Sequence, residues 1–120
     1  MTDAPLIVKD FLNYMQTIRG KSKNTVKEYY YDLRLFLRFI KRQKELTDEP
    51  DIEKIDISDV DADLIKSITL SDLYSYMSFV SGERDNNPSS RARKVASIRS
   101  FFNYLFTKAK ILDYNPAAEL

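Results

Sequence analysis

The chain has 120 residues and a net charge of only +1, with 43% hydrophobic and 31% charged residues. These values are typical of one globular domain that can bury a core. The absence of cysteine and histidine excludes disulfides, thiolate metal sites, Ser-His and Cys-His nucleophile systems and the usual general base. No apolar run is long enough to span a membrane and the N-terminus lacks a basic leader, so we expect a cytoplasmic protein without membrane contact.

The small net charge conceals a strong segregation of charge along the chain. Residues 19–44 hold nine Lys/Arg and two acids, a balance of +7, whereas residues 45–72 hold ten acids and two lysines, a balance of −8. Residues 88–110 hold six Lys/Arg and no acid. Two basic segments separated by an acidic one indicate a charged partner more clearly than the total charge does.

Four segments have the apolar spacing of α-helices. The apolar positions of the first helix run from residue 8 to residue 18, and Gly20 is its predicted C-terminal stop. The second helix begins at the N-cap Ser22 and carries its apolar face over residues 26–40. The third opens with a capping-box pair and the fourth with an N-cap and a proline: Thr69 with Asp72, then Asn87 with Pro88. The buried stripe of the fourth is predicted to contain Val95, Ile98, Phe102, Leu105 and Ala109.

An acidic connector, residues 45–66, separates the second and third helices. Its isoleucines alternate with acids, which predicts a loop attached to the core at intervals, and "DADLIKS" predicts a short helical turn. No segment has the period of a strand, so the predicted fold is all-α, with four main helices and a fifth short one in a single domain over residues 1–120.

The second helix carries a basic row. At 100° per residue, five cations share one narrow sector with Tyr31, about 130° from the apolar face: Lys23, Lys27, Arg34, Arg38 and Lys41. Like charges stacked on one face repel each other and add nothing to folding, so an anionic partner explains them best. The spacing of such a row fits the phosphates along a DNA groove.

The fourth helix is basic as well. Arg93, Ser97, Ser100 and Tyr104 are predicted to lie opposite its apolar stripe, with Lys94 and Arg99 at the edges of that stripe. Both helices begin with hydroxyl-rich caps that offer N–H groups to phosphate. The sequence thus predicts a grip on double-stranded DNA by Ser22, Lys23, Thr25, Lys27, Tyr31, Arg34, Arg38, Ser89, Ser90, Arg93, Lys94, Ser97 and Arg99.

Other interpretations stay open. The basic faces could simply be solvated, in a helical protein-interaction module whose acidic connector binds a basic partner. A helix-turn-helix regulator is disfavoured, because the connector is far too long for that motif. Asp59, Asp61 and Asp63 match three positions of a calcium loop, but leucines occupy its glycine and glutamate positions, so we expect no metal and no small-molecule cofactor.

Three blocks of the sequence follow one another with a recognisable order and spacing. Their residues are Ser22, Thr25, Tyr29, Asp32, Leu33 and Phe36, then Ile68, Thr69, Asp72, Leu73 and Tyr76, then Arg93, Ile98, Arg99, Phe101, Phe102, Tyr104, Leu105, Asn115 and Pro116. Over roughly residues 6–120, these blocks resemble the N-terminal core-binding domain of tyrosine recombinases, the phage-integrase and XerC/XerD-like site-specific recombinases.

The resemblance implies a SAM-like bundle that clamps a recombination site, with the second and fourth helices at the major groove. In such enzymes a separate C-terminal domain holds the catalytic Arg, Lys and His residues and the nucleophilic tyrosine. Nothing in this chain matches that domain, so we expect a DNA-binding domain without catalytic residues. Other recombinase protomers on DNA are the partners that the resemblance implies.

Overall fold

The structure, a computed structural model, describes residues 3–84 and 87–120, which form helices and turns and no strand. The elements in chain order are α1 (Leu6–Thr17), α2 (Lys23–Gln43), a 3-10 turn (Ile52–Lys54), α3 (Ala62–Lys66), α4 (Leu70–Phe79), a π-helical segment (Val80–Arg84) and α5 (Pro88–Thr107). The all-α prediction, with four long helices and a short one, is therefore confirmed.

Two compact units make up the chain, Met1–Ile65 and Lys66–Leu120. The first contains α1, α2 and most of the connector, and the second contains α4 and α5. That the whole chain acts as a single domain stays a prediction.

In the first unit α1 packs on α2 through the apolar face predicted from the sequence. The buried residues of α1 are Val8, Phe11, Leu12 and Met15, and the centroid of the Phe11 ring lies 6.2 Å from that of the Tyr29 ring.

The turn that follows α1 contains Gly20, whose φ of +66° favours a residue without a Cβ. Two residues later the Ser22 hydroxyl accepts a hydrogen bond from the Thr25 N–H at 3.1 Å and starts α2.

The second half of α2 is enclosed on more sides than the sequence predicts. Its expected apolar face is buried, with Leu33, Phe36 and Ile40 completely inaccessible to solvent. Leu35 and Phe39 are also buried, although they lie on the other side of the helix. An amphipathic helix with one exposed face is therefore an accurate description only of the first half of α2.

The acidic connector is attached to the core at intervals, as predicted. Five of its aliphatic side chains are buried, namely Ile52, Ile55, Ile57, Val60 and Ile65. Several of its carboxylates hold local turns: Asp51 accepts from the Glu53 N–H, and Asp61 accepts from the Leu64 N–H at the start of α3. The short helix predicted at "DADLIKS" is confirmed as α3.

The second unit begins with the predicted capping box. The Thr69 N–H donates to Asp72 Oδ2 at 2.9 Å, and the Asp72 N–H donates to Thr69 Oγ1 at 3.2 Å. The start of α5 also follows the prediction, since Asn87 Oδ1 accepts from the Ser89 and Ser90 N–H groups ahead of the first turn. Both helices therefore begin where the sequence places them.

We expect Thr69→Ala to lower the free energy of unfolding by about 1 kcal/mol, because the Asp72 N–H loses its acceptor at the start of α4. Thr69→Ser keeps the hydroxyl and is the matched control, with a loss below about half of that value. Urea denaturation of both variants measures the difference. Equal losses would show that the capping hydrogen bond does not stabilise α4.

Candidate nucleic-acid interface

The basic row is open to solvent only along the first half of α2. Lys23 and Lys27 are exposed, Tyr31 is 45% exposed, and the Arg34 side chain is 29% exposed. These four residues, which we term the open row, follow one another along one side of the helix. The structure thus confirms the exposure and common direction that the sequence predicts for this half.

Aromatic rings contact two cations of the open row, Lys27 and Arg34. The Arg34 guanidinium lies 5.3 Å from the ring centroid of Tyr30 and 5.0 Å from that of Tyr31, and Lys27 Nζ lies 5.9 Å from the Tyr31 ring. Cation–π contacts of this kind restrict flexible side chains and leave their N–H groups directed outward for hydrogen bonding. The paired tyrosines therefore orient the charges beside them.

A pocket of about 380 Å³ opens beside this row, at the side of α2 that meets α1. Its lining combines two lysines, two tyrosine rings, one apolar side chain and one amide: Gln16, Lys23, Val26, Lys27, Tyr30 and Tyr31. The lining offers positive charge at the rim and flat apolar surface inside, a combination compatible with nucleotides.

Arg38 does not belong to the open surface, and the expectation of one continuous exposed row is wrong for the second half of α2. The Arg38 side chain is only 10% exposed. Its Nε donates to the Ile55 carbonyl at 3.0 Å, and its guanidinium lies 3.5 Å from the Glu53 carboxylate. The connector wraps this part of α2, because a buried guanidinium needs acceptors that the acidic segment supplies. DNA contact by Arg38 itself stays a prediction.

Lys41 fixes the connector further along the same side of α2. Its ammonium donates to the Asp56 carbonyl at 2.8 Å and to Asp59 Oδ1 at 2.7 Å. Hydrogen bonds from the Ser58 N–H and hydroxyl hold the pKa of the Asp56 carboxyl below its ordinary value, and the charge of Lys41 acts in the same direction. The adjacent +7 and −8 segments of the sequence were the signal from which this pairing could have been inferred.

Along α5 the predicted residues divide in the same way. Ser89, Arg93 and Arg99 are exposed, whereas Ser97 is fully buried and Lys94 nearly so. The prediction that Ser97 lies opposite the apolar stripe is wrong, and Lys94 lies inside the buried face rather than at its edge. The reason is Phe101, which is fully buried and turns the apolar face of α5 toward both residues.

The buried polar groups of α5 bond within the helix. Ser97 Oγ donates to the Arg93 carbonyl at 3.1 Å, and Lys94 Nζ donates to Ser90 Oγ at 2.9 Å. Such contacts satisfy groups that have lost water, so they account for these side chains without an external ligand.

The cap residues predicted to meet phosphate already have partners in the helix starts. Ser22 Oγ donates to Thr25 Oγ1 at 3.0 Å as well as capping α2, and Asn87 accepts from the Ser89 and Ser90 N–H groups. Their exposure differs, since Ser22 and Ser89 are exposed whereas Thr25 and Ser90 are partly covered. A phosphate at either cap would share these groups with the existing hydrogen bonds.

The carboxylates of the acidic connector serve structural contacts in the part of the chain that the structure describes. No group of three or more Asp or Glu side chains is placed there to hold a metal ion. Asp59 pairs with Lys41, and Asp61 caps α3. Over residues 3–84 and 87–120, no helix combines the length and apolar character needed to cross a membrane.

Comparisons with known proteins relate this arrangement to a family. The family model described as "Phage integrase, N-terminal SAM-like domain" matches residues 8–109. The tyrosine recombinase XerC of Caldanaerobacter subterraneus subsp. tengcongensis is 55% identical over 117 residues, which cover 97% of this chain and 33% of the relative. Tyrosine recombinase XerD of Listeria monocytogenes is 33% identical over 114 residues, covering 95% of this chain and 32% of the relative.

The chain spans about a third of the length of the curated relatives it matches. A further tyrosine recombinase XerC, from Myxococcus xanthus, is 30% identical over 117 residues, covering 98% of this chain and 32% of the relative. No solved structure matches the chain significantly.

The enclosed position of Arg38 predicts a structural cost for its removal. We expect Arg38→Ala to lower the free energy of unfolding by about 2 kcal/mol, because the Ile55 carbonyl loses its donor and the Glu53 carboxylate loses a cation. Lys27→Ala, on the open half of the same helix, is the control and should change it by less than about 0.5 kcal/mol. Chemical denaturation measures both, and a negligible effect of Arg38→Ala would mean that the connector is not held through this residue.

Proposed function

The chain belongs to the phage integrase N-terminal SAM-like domain family, and on that premise we propose that it is the duplex-DNA-binding domain of a tyrosine site-specific recombinase. The observation that carries the proposal is the open row on α2, where Lys23, Lys27 and Arg34 face solvent together. Exposed cations with a common direction are the groups that neutralise DNA phosphates.

Within this row the side chains differ in what they can recognise. Lys23 and Lys27 are flexible point charges suited to phosphate, whereas Arg34 presents a planar fork that can bind a phosphate or a guanine edge. Tyr31 adds an exposed ring between them. We assign the two lysines and Arg34 to phosphate contacts and leave Tyr31 as the residue of α2 that can reach bases.

On α5, Arg93 and Arg99 supply the corresponding exposed charges, and Ser89 offers a hydroxyl donor near the helix start. Small exposed side chains, Ala92 and Ala96, lie on the same surface and permit close approach of a phosphate backbone. The proposed contact set omits Arg38, Lys94 and Ser97, because their polar atoms are enclosed and hydrogen-bonded. These three residues support the two helices instead.

Strand cleavage and rejoining belong, in this proposal, to a catalytic domain of the parent recombinase rather than to these 120 residues. The chain contains no histidine, and the curated relatives are tyrosine recombinases about three times its length. We propose that the domain holds the recombination site while protomers assemble on DNA in the cytoplasm and the catalytic domain exchanges strands. It needs no cofactor for that role.

The salt dependence of duplex binding tests this function. Five exposed cations, Lys23, Lys27, Arg34, Arg93 and Arg99, should give a slope of log affinity against log salt of about −4 to −5. Fluorescence anisotropy with a labelled duplex of about 30 base pairs, between about 50 and 200 mM salt, measures it. A flat response, or no binding at the lowest salt, would leave the protein-interaction module as the better interpretation.

Lys27→Ala should make that slope shallower by about one unit, because one phosphate contact is lost. Lys54→Ala removes an equal charge from an exposed position in the connector and serves as the control, with the slope unchanged. Identical slopes for both variants would assign the open row to solvent rather than to DNA.

A further inference from the structure

An acidic residue from the start of the chain lies on the basic side of α2. The Asp3 carboxylate accepts a hydrogen bond from the Tyr30 hydroxyl, 27 positions away in the sequence. Its Oδ2 lies 4.0 Å from Arg34 and 3.8 Å from Arg38. Asp3 therefore connects the segment before α1 to the open row.

The two arginines depend on Asp3 to different degrees. Arg38 also has the Ile55 carbonyl and the Glu53 carboxylate, so its charge is compensated without Asp3. Among the described residues, Asp3 is the acidic side chain that forms an ion pair with Arg34, whose other neighbours are the rings of Tyr30 and Tyr31. Asp3 thus neutralises the arginine that the proposed function assigns to DNA.

The contact is placed where a ligand can replace it. Both Asp3 and Arg34 are 29% exposed, and their charged atoms are at the outer limit of ion-pair distance. Partly solvated ion pairs of this length are weak. A phosphate oxygen carries the same kind of negative charge as a carboxylate oxygen, so a DNA phosphate and Asp3 would compete for the Arg34 guanidinium.

We propose that Asp3 is an intrinsic competitor of DNA phosphate, which occupies Arg34 in the free protein and weakens duplex binding. This inference rests on the proposed function and adds a specificity-determining residue to it. Phosphate contacts are the same for every DNA sequence. The Asp3 carboxylate, placed beside a cation that contacts phosphate, therefore weakens binding to all duplexes. Base contacts then account for a larger share of the affinity, which favours the correct site.

Asp3→Asn is the informative variant, because it removes the charge and keeps an oxygen that can accept from Tyr30. We expect this variant to bind duplex DNA about five-fold more tightly at about 50 mM salt and less than about two-fold more tightly at about 200 mM salt. The gain falls because salt screens the charge of Asp3, and because the slope of log affinity against log salt becomes steeper by up to about one unit in the variant. Anisotropy titrations across the salt series measure both quantities.

Asp10→Asn is the matched control. It removes the same charge from an exposed position of α1, on the face opposite Val8 and Phe11, and should change affinity by less than about two-fold. Asp3→Ser tests the result in a second variant, and circular dichroism confirms that each variant is folded.

A double-mutant comparison identifies the residue through which Asp3 acts. In an Arg34→Ala background, Asp3→Asn should no longer strengthen binding, because the contested donor is gone. Unchanged or weaker binding by Asp3→Asn in the wild-type background would overturn the inference, and weaker binding would make Asp3 a positioning residue for Arg34. That outcome leaves the proposed function intact, whereas absence of duplex binding by every variant would overturn both.

Discussion

The hydrogen bonds from Arg38 and Lys41 to backbone carbonyls of the connector determine how the first unit is built. Both cations lie among apolar side chains of α2, where an unpaired charge would be strongly destabilising. The Ile55 and Asp56 carbonyls supply the acceptors, and Glu53 and Asp59 supply the opposite charge. An acidic segment of irregular structure is thereby held against a helix, and the rest of α2 is left as the exposed basic surface.

Much of the fold could be predicted because the decisive interactions are local in sequence. The Thr69–Asp72 capping box, the Asn87 cap and the φ of Gly20 each depend on residues within a few positions of one another, so their sequence patterns are diagnostic. The burial of Leu35 and Phe39 was not predictable in this way. It depends on tertiary enclosure, which a helical period alone does not contain.

The exposed basic face of α2 was predicted correctly in direction and incorrectly in extent, and its contact with DNA stays a prediction. A helical wheel gives the angle of each side chain, and Lys23, Lys27 and Arg34 do share one exposed side of α2. It does not give what covers that side further along, so Arg38 was placed with them. On α5 the omission of Phe101 from the apolar stripe displaced the predicted face, and Ser97 was assigned to solvent as a result.

Under the proposed function, the division of α2 into an enclosed and an open half also explains how a nearly neutral chain would bind a polyanion. Acids that pair with Arg38 and Lys41 cancel charge inside the fold, where it would not meet phosphate in any case. The open row keeps its charge at the surface, apart from the contribution of Asp3. Net charge would thus be a poor guide to the proposed DNA binding, because affinity depends on which cations remain accessible after folding rather than on how many the sequence contains.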